Sequence, residues 1–205
     1  MKITQVFILF IAFFLISLQI YSNNGFEDGY IITNATDTLY GQIKDRKLGT
    51  FSKLYTKIIF KNKKGRKKKY GAKDIIAYKR GGDEFVSLWF LENPYFFDLR
   101  ATSVEGKGKI LFFKHIMKGQ LNYFYHEYVE ENGIIDQSGY FKKEDDAEMI
   151  FVRTGLFGLN KKQLTSYFKD CPALQNKIMN KTFTKPYEIV NYYNNWILNE
   201  SKKSI

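Results

Sequence analysis

Between residues 30 and 141 the apolar positions come in short runs with strand-like alternation, separated by turn-forming residues, and after residue 160 they recur at helical spacing. The first region predicts antiparallel strands joined by tight turns. Residues 30–32 and 39–43 flank Asn34-Ala35-Thr36-Asp37, which predicts a first hairpin. A strand from Leu54 through Tyr55, Ile58 and Ile59 to Phe60 follows. Residues 74–80 and 83–90 meet at Gly81-Gly82, and a two-residue turn there pairs Arg80 with Asp83 and Lys79 with Glu84, so that opposite charges face each other. After a turn at Gly106-Lys107-Gly108, residues 109–118, 121–131 and 134–141 form a meander. Asn132-Gly133 is its strongest turn signal, the dipeptide that a type I′ hairpin prefers.

The helical region begins at Asn160, a predicted N-cap with Gln163 three residues on. Leu164, Tyr167, Phe168 and Cys171 then line one face until Pro172 interrupts it. A short helix over 173–180 follows. Pro186 opens a third helix in which Ile189, Val190, Tyr193, Trp196 and Ile197 make an apolar stripe suited to docking on a sheet. The predicted fold is α+β and mainly β: an antiparallel meander, strongly curved or partly closed into a barrel, with two or three C-terminal helices on one face or end. An aromatic content of 18% with only three prolines fits a packed, strand-rich body.

The start of the chain differs from both regions. Lys2, the apolar run over residues 6–16 and Ser22 before Asn23-Asn24 fit a secretory leader, cut to leave a chain beginning near Asn23. The expected organisation is a signal peptide over 1–22, a β domain over 23–155 and a helical segment over 156–205 packed on it. Export to the periplasm, outer envelope or exterior is the expected location. The alternative is an uncleaved membrane anchor, since residues 3–20 approach the length that crosses a bilayer, about 20 residues. Cys171 is the only cysteine, so no internal disulfide can form.

Net charge is +11, and it is local. Lys61, Lys63, Lys64, Arg66, Lys67, Lys68 and Lys69 supply seven positive charges, and setting these and Lys2 aside leaves +3. Clustered lysines attract anions diffusely and lack the bidentate geometry of arginine. In an exported protein they suit anionic lipid headgroups, acidic polysaccharide or an envelope protein. Nucleic acid, with Tyr55, Phe60 and Tyr70 available for stacking, is the weaker partner because exported proteins rarely meet it. A solvated hairpin tip is the bland alternative.

Tyr167 to Leu174 (YFKDCPAL), followed by Lys177-Ile178, Asn180-Lys181, Ile189-Val190-Asn191 and Tyr193-Asn194, resembles the C-terminal part of secreted proteins of unknown function common in Bacteroidota. Gly29-Tyr30-Ile31, with Asp37 to Arg46 (DTLYGQIKDR), is similar to their N-terminal strands. The resemblance covers about a third of the chain. It implies a compartment and a lineage, and it brings no catalytic residues.

The two histidines are the remaining place to look for chemistry. If the 109–118 and 121–131 strands pair through a turn at Gly119-Gln120, Lys118 faces Leu121, His115 faces Phe124 and Phe113 faces His126. Both imidazoles then share one sheet face with Leu111, Phe113, Met117 and Phe124. Zinc wants three or four ligands, and Glu127 points the other way, so packed histidines are favoured over a metal site at His115 and His126. Cys171 on an apolar stripe reads as a buried thiol. No cofactor and no catalytic residue is assigned. The leading expectation is an exported non-catalytic protein that binds a partner or an anionic surface; the alternatives are a hydrolase using the two histidines and a structural or assembly protein.

Overall fold

The computed structural model describes residues 25–48, 52–93, 100–152 and 159–203. The predicted leader and the boundary near residue 155 lie outside them. Eleven strands are described: β1 (Glu27–Thr33), β2 (Thr38–Lys47), β3 (Lys53–Asn62), β4 (Lys67–Tyr70), β5 (Ile75–Arg80), β6 (Asp83–Glu92), β7 (Arg100–Thr102), β8 (Lys109–Met117), β9 (Leu121–Val129), β10 (Ile135–Lys143) and β11 (Glu148–Val152). They form one antiparallel sheet in the order β4-β3-β2-β1-β5-β6-β7-β11-β10-β9-β8. β6 also pairs with β8, from Phe85↔Lys114 to Phe90↔Lys109, and this closes the last six strands of that order into a barrel. The curved meander expected from the alternation is therefore a closed ring carrying a five-stranded wing.

β6 belongs to both parts. Its first half pairs with β5 through Ala77↔Val86 and Tyr78↔Phe85, and its end pairs with β7 at Leu91 and Glu92. The barrel strands bury both faces, as alternation along β9 shows. Phe124 points inward with Phe90, Phe113, Tyr140 and Met149, while Leu121 and Tyr123 point outward under the helices. On another side, the inner face of the wing covers the barrel with Ile31, Ile43, Ile58, Phe60 and Tyr78, meeting Phe85 and Phe112. The barrel is thus packed from within and from two outer sides.

The turn at Gly81-Gly82 has the predicted register, with Arg80↔Asp83 and Lys79↔Glu84; Arg80 stays 3.9 Å from Asp83, and the charges also find closer partners. Arg80 turns inward to Asp45 and Glu27, Asp83 pairs with Lys114 at 2.8 Å, and Glu84 pairs with Lys118 at 2.6 Å. The hairpin at Asn132-Gly133 is not a two-residue type I′ turn. Glu130 N–H donates to the Ile134 carbonyl, and only Gly133 has positive φ (78°), so three residues form the loop and glycine takes the left-handed position closing it. Between β8 and β9 the predicted His115↔Phe124 pair forms, but a bulge before Met117 sets that residue opposite Tyr123, and the expected Lys118–Leu121 pair is absent. Met117 consequently packs toward the helices, away from the histidine face. Sequence reading did not assign β7 or β11.

Three helices follow, α1 (Lys161–Tyr167), α2 (Pro172–Met179) and α3 (Pro186–Lys203). The Asn160 carboxamide oxygen accepts from Gln163 N–H, the predicted N-cap. Leu164, Tyr167, Phe168, Ile189, Val190 and Tyr193 bury the predicted faces. Cys171 lies past the end of α1, at the residue before Pro172 opens α2; it is fully buried, and burial pushes its thiol pKa up. Polar contacts help to fasten the helices to the barrel. Lys143 of β10 reaches Asp170 at 2.8 Å and lies over the rings of Tyr167, Phe168 and Tyr193. The Asn194 carboxamide accepts from Leu121 N–H at 2.7 Å and donates to the Leu121 carbonyl at 3.1 Å, satisfying the start of β9 as a neighbouring strand would. No described helix is long and apolar enough to cross a membrane.

Candidate functional site

The basic segment is the hairpin joining β3 to β4. Asn62 shapes its tip: the side-chain oxygen accepts from Lys64 N–H and Arg66 N–H, both at 3.0 Å, its carbonyl accepts from Gly65 N–H, and Gly65 takes φ +76°. Lys63, Lys64 and Arg66 stand at that tip, exposed. In the ladder Lys61 faces Lys67, Phe60 faces Lys68 and Ile59 faces Lys69. Two like charges directly opposite each other repel, and the Phe26 ring offsets part of this, since the ammonium groups of Lys61 and Lys67 lie 5.8 and 5.4 Å from its centroid. Lys68 lies on the other face, over Tyr70.

What marks this hairpin is the gathering of seven cations in one place without counter-charge. Arg46, Arg80, Lys114, Lys118 and Lys143 each hold a carboxylate. Among the described residues, none of the seven hairpin cations does. β4 pairs only with β3, and because the barrel closes the sheet elsewhere, β4 is its free edge among the described strands. The hairpin borders a shallow trough of about 800 Å³ on the outer face of the wing, lined in part by Tyr30, Tyr40, Gln42, Lys61, Lys63 and Lys79. Tyr30 and Tyr40 meet edge to face, with ring centroids 5.9 Å apart, and Tyr40 is 65% exposed. Lys61 donates to the Gln42 side chain, which in turn donates to Asp28.

No known protein family, curated protein or solved structure matches this chain. The site's meaning therefore rests on its own chemistry.

Both histidines face the barrel interior, as the register predicts. His115 Nε2 lies 2.9 Å from the Asn122 side-chain oxygen, and its ring sits 4.5 Å from that of Phe124. His126 lies among Phe90, Phe113 and Tyr128. Burial lowers the pKa of both, opposed at His115 by the hydrogen bond to Asn122, so both rings are neutral near pH 7. Glu127 points away from His126. Among the described residues, no group of three or more His, Cys, Asp or Glu side chains converges as a metal site.

Sequence reading missed a buried ionic cluster. A bulge after Lys44 turns the successive residues Asp45 and Arg46 inward together, where regular alternation would have sent one of them to solvent. Arg46 Nε and Nη2 bind the two Asp45 oxygens at 2.9 and 3.0 Å, and Nη1 and Nη2 bind Glu127 of β9 at 3.2 and 2.7 Å. Asp45 also accepts from the Tyr78 hydroxyl at 2.9 Å and pairs with Arg80 at 3.1 Å. Burial opposes the charge on Arg46, but the hydrogen bonds it donates to Asp45 and Glu127 outweigh it and raise its pKa. Burial and the Asp45 charge push the Tyr78 pKa well up. The cluster ties the wing to the barrel wall. Its only sequence signal was a charged pair just past the predicted 39–43 strand, at what is the end of β2.

Proposed function

We propose that this chain is an exported, non-catalytic envelope protein that holds an anionic surface against its wing, with Lys61, Lys63, Lys64, Arg66, Lys67, Lys68 and Lys69 as the contact. The observation that carries this reading is the set of seven cations without carboxylate partners, gathered at the free sheet edge beside the Tyr30–Tyr40 pair. Arg46, Arg80, Lys114 and Lys143 are covered cations held in ion pairs within the fold, whereas the hairpin cations are available to an external counter-charge. Their lysine content suits a surface of many weakly ordered anionic groups, such as acidic polysaccharide or lipid headgroups, over one precisely placed ligand. Export rests on the composition of residues 1–22.

The test is binding of the chain to anionic vesicles and to an acidic polysaccharide at low and high salt, beside a variant with the seven cations replaced by serine. Binding that weakens with salt and disappears in the variant supports the proposal. Binding indifferent to both overturns it. A second reading has its own support, because lysines on a free edge discourage strand addition by another chain. Under that reading the serine variant self-associates while any surface binding stays unchanged.

A further inference from the structure

We propose that the cleft between wing and barrel binds a single-chain amphiphile with an anionic head group, its chain lying between the two walls and its head at Lys57 and Lys73. The cleft, about 560 Å³, runs between the inner face of β2 and β3 with the 71–74 connection on one side and the outer wall of β8 and β9 on the other. That volume lies within the range of roughly 300–1,000 Å³ that accepts small ligands. Leu54, Ala72, Phe85, Ile110, Phe112 and Val129 contribute apolar lining from both walls.

The charged groups that reach this space are already satisfied. Each oxygen of Asp45 and of Glu127 accepts from a guanidinium, and Tyr78 donates its hydroxyl to Asp45. The Arg46–Glu127 contact spans the two walls as a strut and has no net charge to offer. The interior therefore favours an apolar occupant, since an unpaired polar group there would lose its water without a partner. The rim differs. Lys57 and Lys73 are exposed, and among the described residues neither has a carboxylate partner. Asp74 shares this rim, but its carboxylate is turned onto Gly71 N–H at 2.7 Å, and the three side chains together leave a net positive charge. An apolar slot with a cationic lip selects a chain with an anionic end over a neutral or cationic one.

The host for the test is the full chain with the seven hairpin cations replaced by serine, so that the hairpin cannot itself collect anionic amphiphiles. Displacement of a fluorescent fatty-acid probe by hexadecanoate, a lysophospholipid with an anionic head, hexadecanol and a cationic hexadecyl amphiphile is then measured. Saturable one-to-one displacement by hexadecanoate or the lysophospholipid, at least tenfold tighter than by hexadecanol, supports the proposal; the tighter of the two names the head group. Charge reversal at the rim (Lys57→Glu with Lys73→Glu) should remove that tenfold preference and leave hexadecanol binding unchanged, while Leu54→Trp should weaken all of them. No saturable displacement, equal binding of the cationic amphiphile, or indifference to both variants overturns it. Because the hairpin is already neutralised in this host, failure here is distinguishable from failure of the surface-binding reading.

Discussion

Replacing Asp45 by asparagine tests whether the ionic cluster carries a measurable share of the stability. The Asp45 side chain is about 4% exposed and accepts from Arg46 twice, from Tyr78 and from Arg80, whose side chains with Arg46 are each about 9% exposed. Asparagine keeps the shape and removes the charge, leaving two covered guanidiniums with less counter-charge and an amide N–H₂ facing donors. Breaking one partner of a buried ion pair costs about 3–5 kcal/mol. Arg46 retains Glu127 and Arg80 retains the half-exposed Glu27, which puts the expected loss at the lower end, about 3 kcal/mol. For a chain of this size that corresponds to a fall in Tm of roughly 6–12 °C. Urea unfolding followed by the fluorescence of Trp89 and Trp196 should show a lower midpoint with unchanged slope. Tyr78→Phe, which removes one hydrogen bond and no charge, should cost only about 1 kcal/mol. A loss below about 1 kcal/mol for Asp45→Asn, or one equal to that of Tyr78→Phe, would refute the reasoning, because the arginines would then be finding solvent or other anions.

Burial lowers the pKa of His126, so in the window below the ordinary histidine value of about 6.5 the unfolded chain binds more protons than the folded one, and stability falls as pH drops through it. His126→Phe should therefore lose less stability between pH 7 and pH 5 than the parent, measured by urea midpoints at each pH; an identical loss would assign the effect to other groups. Asn194→Ala leaves the N–H and carbonyl of Leu121 without their side-chain partner and should cost about 1–3 kcal/mol. The same variant should speed hydrogen exchange at the Leu121 amide, and unchanged protection there would show that the α3 contact does not hold the start of β9.

Much of the fold was legible because local rules acted alone. The Gly81-Gly82 register, the His115↔Phe124 pair, the Asn160 cap and the apolar faces of α1 and α3 all follow from turn chemistry and periodicity within a few residues. Where three-dimensional context intervened, the reading slipped. β7 and β11 close the barrel, but β7 is only three residues long and β11 follows charged turn residues, so neither shows an extended alternation. The bulges after Lys44 and His115 reverse which side chains face inward, and no local residue pattern announces them. The basic hairpin was visible as a charge run. The tyrosine trough beside it was not, because it assembles Tyr30, Tyr40 and Lys79 from three strands. The cleft was hidden for the same reason, its two walls lying on strands far apart in sequence.

The barrel is fastened like a cuff with a narrow tongue. Among the described residues, β7 pairs with β6 at Leu91 and Glu92, with Asn93 N–H also donating to the Arg100 carbonyl, and with β11 from Glu148 to Ile150, whereas β9 and β10 run together along their whole length beneath the helices. Breathing of the native ring should therefore concentrate at this seam, with amides of β7 exchanging through local opening while those of β9 and β10 wait for global unfolding. An opening there parts the wall beside Ala101 and Met149 and gives water a transient path to the aromatic interior, where the two neutral histidines lie.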